Sequence, residues 1–485
     1  NFILVSLLHR HLLVMPLTIL SQAQLRSLLL SLNRDEVSSL QQSLAQALLD
    51  YSTGSQEQGC AATYQPLRTA ITRQNGCTTL FMPASTGRTI GMKMISLQDG
   101  GAAGCAVEGA FEIPEGTKTA SRSRSAGPRR SMTSLSSEMS DLSISSQEEG
   151  SSSSSSSRSL RSDTVNRQSV GSSSSSGISK TLGAWPGAGT RDTSPQGTVT
   201  LLDADSMPFG LINAHELTPF RTALATMMIF NKRKRVRTVV VFGAGKQAYW
   251  HIRLALTLRA ADIKRVVIVN RSFERAAMLL KDIYSTENSS WRGDVKFSAV
   301  STDFGEYDRI IQDAIHKSDA IFCCTPSIEP LFPAELLTSR EGRQKGRFIS
   351  AIGSYRPHMA ELHPDILRDE VNAHHSGRHF HKHIKRSGVV VVDSLEAALK
   401  EAGELIQAGI KPNQVVELGE LLMVRDASRK DNNQDVEDTK SLREWVERGN
   451  VIYKSVGMGL MDLVTGGDLI QMARTRNLGT SVEDF

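Results

Sequence analysis

The chain has 485 residues, 39% of them hydrophobic, five cysteines and a formal charge of +5 at pH 7, which is enough for two or three domains with cores of their own. So small a charge excess, bunched in "NKRKRVR" (Asn231–Arg237) and "HHSGRHFHKHIKR" (His374–Arg386), argues against a nucleic-acid-binding stripe. An odd set of cysteines (Cys60, Cys77, Cys105, Cys323, Cys324) without a CxxC pair argues against a disulfide framework or a zinc site and for a reducing, cytoplasmic compartment.

The apolar opening "NFILVSLLHRHLLVMPLTIL" is split by His9-Arg10-His11. It has no small-residue cleavage site and is too short to span a membrane. Residues 1–14 are therefore read as an upstream extension outside the fold. Ser21 and Gln24 form a capping box before "AQLRSLLLSL". Asn33 caps the next helix, where Val37, Leu40, Leu44 and Leu48 make an apolar stripe. "RTIGMKMISL" (Arg88–Leu97) alternates as a strand that puts Lys93 on the face of Gly91 and Ile95, away from Met92 and Met94. From about Gly116 to Gln196 the chain is serine-rich and too poor in apolar residues to offset the entropy of ordering, so it reads as disordered. "GTVTLLDADS" (Gly197–Ser206) is a strand and turn. In "ELTPFRTALATMMIF", Thr218 is expected at the N-cap and Pro219 at the first helical position.

From Thr238 apolar strands alternate with helical patterns: "TVVVF", "RVVIV", "VKFSAV", "AIFCCT", "RFISAIG" and "GVVVVDS". That pattern means an α/β fold, a Rossmann-type doubly wound parallel sheet covered on both faces. In "FGAGKQA" the small residues Gly243, Gly245 and Ala248 directly follow a strand and open a helix. The first allows a tight turn, the second lets backbone reach a pyrophosphate, and the third lets helix and sheet pack closely. Gln247, and Thr325 at the tip of "AIFCCT", are assigned to the same cofactor site. At the tip of the second strand a carboxylate would hold the ribose of NAD; Asn270-Arg271-Ser272 stands there instead, which favours NADPH over NAD/NADH.

These motifs, with "QPLRTAI", "FMPAS", "GMKMIS", "LTPFRTALA", "IGSYRPHMAEL", "VVDSLEAALKEAGEL", "ELGELL" and "YKSVGMGLMDL" in order along the chain, resemble the ornithine cyclodeaminase/mu-crystallin family. The resemblance implies a Rossmann domain (231–414) beside a discontinuous α+β substrate-binding and dimerisation domain (15–115 and 197–230, continued by 415–485), with the insert 116–196 between. It also implies a homodimer acting on a small carboxylate-bearing substrate, with no nucleic acid or membrane partner. Arg68 and Arg221 match arginines that grip the substrate carboxylate, and Lys93 matches the lysine beside the reacting carbon. The cyclodeaminase branch has an aspartate where this chain has Tyr355, and a glutamate where it has Leu80. Leu80 moves no proton, and a phenol is a poor base at neutral pH.

The expectation is an NAD(P)H-dependent reductase of a small imine or amino/keto acid, with Lys93 or Tyr355 handling the proton. The alternatives are cyclodeamination of ornithine to proline and ammonia, or NADPH-dependent ligand binding without turnover. His374, His375, His379, His381 and His383 lack a completing cysteine or carboxylate and read as a loop with no metal. "KRKR" reads as the lead-in to the first parallel strand.

Overall fold

The computed structural model describes residues 16–54, 59–98, 195–371, 390–423, 436–483 and 485. The extension 1–14, most of the serine-rich insert, the histidine segment and much of the charged stretch 425–441 lie outside these. Among the described residues no helix is long and apolar enough to cross a membrane.

An antiparallel-dominated sheet holds β1 (Leu17–Leu20), β2 (Thr69–Thr72), β3 (Cys77–Ser85), β4 (Ile90–Gln98), β5 (Gln196–Leu202) and β6 (Pro208–Asn213). β5 starts at Gln196, the last residue given to the insert. The helices α1 (Gln22–Ser31) and α2 (Arg34–Thr53) carry the capping boxes expected at Ser21 and Asn33. Val37, Leu40, Leu44 and Leu48 form the buried face of α2. β4 alternates as its sequence requires: Gly91, Lys93, Ile95 and Leu97 are buried, and Met92 and Met94 are exposed.

The next helix begins earlier than expected. α3 runs Ala214–Phe230 with Asn213 as N-cap, so Thr218 is not the cap and Pro219 lies inside the helix. Pro219 gives up one helical hydrogen bond there. The extra turn is held by tertiary contacts: the fully buried Glu216 pairs with Arg26 at 3.1 Å and with Lys246, and accepts from Trp250 Nε1 at 3.2 Å.

The second sheet holds β7 (Thr238–Phe242), β8 (Arg265–Asn270), β9 (Lys296–Ser301), β10 (Ala320–Cys323), β11 (Phe348–Ala351), β12 (Val390–Val392), β13 (Val415–Glu417) and β14 (Val451–Lys454). Every neighbouring pair is parallel, in the order β13-β12-β14-β11-β10-β7-β8-β9. Its faces feed separate cores: Val239 and Val241 pack into one, Val240 and Phe242 into the other. Burial on both faces is why these strands read as unbroken apolar runs. Between the strands lie α4 (Lys246–Arg259), α5 (Phe273–Ile283), α6 (Tyr307–Lys317), and the short pair α7 (Leu395–Glu401) and α8 (Gly403–Ala408).

The sequence division at residue 414 is not where the sheets divide. β13 and β14 pair inside the parallel sheet, with β14 between β11 and β12. "VIYK" is buried throughout, and a strand buried on both sides belongs in the covered sheet. After it, α9 (Gly459–Thr475) returns to the first sheet, and β15 (Thr480–Val482) closes that sheet's edge beside β1.

Candidate active site

The turn between β7 and α4 has the geometry its glycines predict. Gly243 sits at φ 112°, and a Cβ there would lie 2.7 Å from the Cys324 carbonyl oxygen. Gly245 has no atom within 4 Å of where a Cβ would stand. It is the N-cap of α4 without a side-chain cap, so no side chain satisfies the helix's first N–H groups, the kind of helix start that receives a phosphate. Ala248 is fully buried against the core. Gly245→Val is therefore expected to keep the wild-type melting temperature within about 2 °C and to weaken dinucleotide binding at least about tenfold. Thermal denaturation and fluorescence titration check the two halves; unchanged affinity would refute the phosphate assignment.

At the tip of β8, Asn270 Nδ2 donates to the Ser272 carbonyl at 2.8 Å. The Ser272 hydroxyl caps α5, accepting from Arg275 N at 3.3 Å, and donates to Glu274 at 2.7 Å. The helix thus engages the serine, while the Arg271 side chain is exposed and has no ion pair among the described residues. Thr325 follows β10, and its backbone N–H donates to Glu361 Oε1 at 2.7 Å. The other Glu361 oxygen accepts from Gly353 N at 2.6 Å. One buried carboxylate therefore ties the loop after β10 to the loop that carries Tyr355. Burial pushes the Glu361 carboxyl up to about 7 against the pull of Lys454 and the two N–H donors.

Arg68, Lys93, Arg221, Tyr355 and Gln247 line one cleft, walled by Leu80, Met82, Ile95, Leu97, Ile352 and Val456. Lys93 points inward from β4 and is 2% exposed. Its Nζ donates to both oxygens of Asp462 in α9, at 3.0 and 2.9 Å. Arg221 Nε, from α3, stands 3.1 Å from Asp462 Oδ2. Burial lowers the Lys93 amine to about 7; Asp462 opposes that and Arg221 reinforces it. Arg68 makes a two-point pair with Glu401 at the end of α7, Nε to Oε1 at 2.7 Å. Asp393 fixes the far wall, accepting from Val456 N at 3.2 Å, Gly457 N at 2.7 Å and Ser455 Oγ at 2.8 Å.

Sequence reasoning missed Asp462, Glu401 and Glu361 as site groups, although each lies in a quoted motif. The available signal was a carboxylate standing alone among apolar helix or strand neighbours, as Asp462 does in "GLMDLV". The histidine segment falls outside the described residues.

The sequence profile of the ornithine cyclodeaminase/mu-crystallin family matches residues 180–466. A Delta(1)-pyrroline-2-carboxylate reductase of Bacillus cereus is 27% identical over 286 residues, 57% of this chain and 70% of that protein. The ketimine reductase mu-crystallin of Rattus norvegicus is 25% identical over 274 residues, 56% of this chain and 67% of that protein. Among solved structures, the Delta(1)-pyrroline-2-carboxylate reductase of Thermococcus litoralis in complex with NADH and L-proline aligns with a TM-score of 0.57 at 18% identity. That alignment covers 96% of this chain and 100% of the other, and supports the fold.

Proposed function

The chain belongs to the ornithine cyclodeaminase/mu-crystallin family, and on that premise we propose that it is an NAD(P)H-dependent reductase of a small imine that carries a carboxylate. The relatives named above as pyrroline-carboxylate and ketimine reductases support the reaction class. When bound between the Gly245 turn and the cleft, the reduced dinucleotide supplies hydride. The chain's own residues supply orientation and the proton. Arg221, with Arg68 at the rim, draws the substrate carboxylate. On this reading the Lys93 ammonium donates the proton to the imine nitrogen, and Tyr355 lines the same cleft.

The observation that carries this reading is the pairing of the cleft's charges. Asp462 is held by Lys93 and Arg221, and Glu401 by Arg68. Leu80 lines the wall where a cyclodeaminase has a carboxylate. Such a cleft offers a proton donor and no unpaired carboxylate base among the described residues. That suits imine reduction, which consumes a proton, over loss of ammonia from an amino acid, which needs one removed. Cyclic ketimine carboxylates are expected to oxidise NADPH in a steady-state assay; release of ammonia from ornithine without net oxidation of cofactor would replace this reading with cyclodeamination.

We also propose NADPH as the preferred reductant, on the exposed Arg271. Arg271→Ala is expected to raise KM for NADPH about tenfold while leaving KM for NADH within about twofold. A homodimer is supported by the sheet face opposite Lys93, where Ile71, Ile90, Met92 and Met94 are 58%, 50%, 40% and 42% exposed; an apolar stripe of that kind commonly marks a protein contact.

A further inference from the structure

The cleft carries three cations, Arg68, Lys93 and Arg221, against two carboxylates, Asp462 and Glu401. Asp462 is shared by the two inner cations, while Glu401 occupies Nε and Nη2 of Arg68. Arg68 Nη2 also donates to the Tyr355 carbonyl at 3.4 Å, and Nη1 has no partner among the described residues. One nitrogen of the guanidinium thus remains to meet a substrate.

Glu401 is not a wandering surface side chain. It closes α7, and Ala402 N, the next residue, donates to the Ala398 carbonyl at 3.0 Å. Gly403 then packs where a Cβ would lie 1.8 Å from the Met359 carbonyl oxygen, so the backbone on both sides is fixed. The side chains of Arg68 and Glu401 are 14% and 23% exposed, and charges at such exposure act on one another more strongly than in open water. Burial pushes the Glu401 carboxyl up, and the Arg68 guanidinium opposes that shift.

We propose that Glu401 sets substrate selectivity: by holding the Nε edge of Arg68 it admits a ligand with one carboxylate and turns away a ligand with two. A second carboxylate reaching for Arg68 must either lie against Glu401 or strip it of its partner. Both are unfavourable where solvent is thin. The proposal rests on the imine-carboxylate reading of the cleft and narrows its substrate class to monocarboxylates.

The test uses unreactive planar probes, pyrrole-2-carboxylate and pyrrole-2,5-dicarboxylate, titrated calorimetrically into the NADPH-saturated protein. Wild type is expected to bind the monocarboxylate at least about tenfold more tightly, and Glu401→Gln to shift that ratio toward the dicarboxylate by about tenfold or more. Glu401→Asp keeps the charge and should stay near the wild-type ratio. An unchanged ratio in Glu401→Gln overturns the proposal, as does weaker binding of both probes by a common factor, which would make Glu401 only a support for Arg68. Failure of wild type to bind either probe also overturns it. Because the probes do not turn over, an assay that finds no imine reduction defeats the functional reading while this selectivity is measured independently.

Discussion

Lys93→Met is expected to lower kcat/KM for imine reduction about a thousandfold while leaving dinucleotide affinity within about twofold, since general-acid groups contribute 10²–10⁴ in rate. Methionine keeps the length and apolar stem of lysine and removes the proton. The fold should survive, because Asp462 keeps Arg221 as a counter-ion. The wild-type pH profile carries the same signature. The amine's pKa is lowered to about 7, so the donating form is complete below that pH and is lost as pH rises through it. The expected kcat/KM therefore falls with pH above about 7 at roughly tenfold per unit, and the variant's residual rate loses that limb. A wild-type rate flat between about pH 6 and pH 9 would remove Lys93 from the proton path.

The second large effect is structural. Asp462→Asn strands the buried Arg221 guanidinium without its carboxylate and removes the charge that favours the Lys93 ammonium, so that the lysine sheds its proton. Breaking a buried ion pair from one side costs about 3–5 kcal/mol, which for a chain of this size corresponds to a melting temperature lower by about 4–7 °C. Lys93→Met combined with Asp462→Asn should recover about 1–3 kcal/mol relative to the sum of the single changes, since each single change already loses the same Lys93–Asp462 pair. Differential scanning calorimetry on the four proteins of this cycle decides it. An Asp462→Asn protein melting within about 2 °C of wild type would mean that solvent reaches the cleft and screens the cations.

How much of this the amino-acid order reveals depends on how local the cause is. Lys93 faces the core because strand side chains alternate, and Gly91, Ile95 and the exposed methionines state that alternation within ten residues. The turn at Gly243–Ala248 is legible for the same reason: its steric demands are met by adjacent residues. The start of α3 is not, because Glu216 holds it through Arg26, Lys246 and Trp250 from other parts of the chain. Asp462 lies 369 positions from Lys93, and Glu401 lies 333 from Arg68. No periodicity reports a pairing of that span, so the carboxylates that set the cleft's charge come into view only with the fold.

The place of β14 has a consequence for how the molecule comes into being. Val451–Lys454 is the inner stave between β11 and β12, so a nascent polypeptide halted before it leaves the ribosome holds two half-sheets whose facing edges are both open. Those edges invite pairing with other chains. Joining them is a late, long-range step of the kind that slows folding, and the same closing stretch brings Asp462 to Lys93. A substrate cleft formed ahead of that stretch would hold the buried Lys93 without its counter-ion.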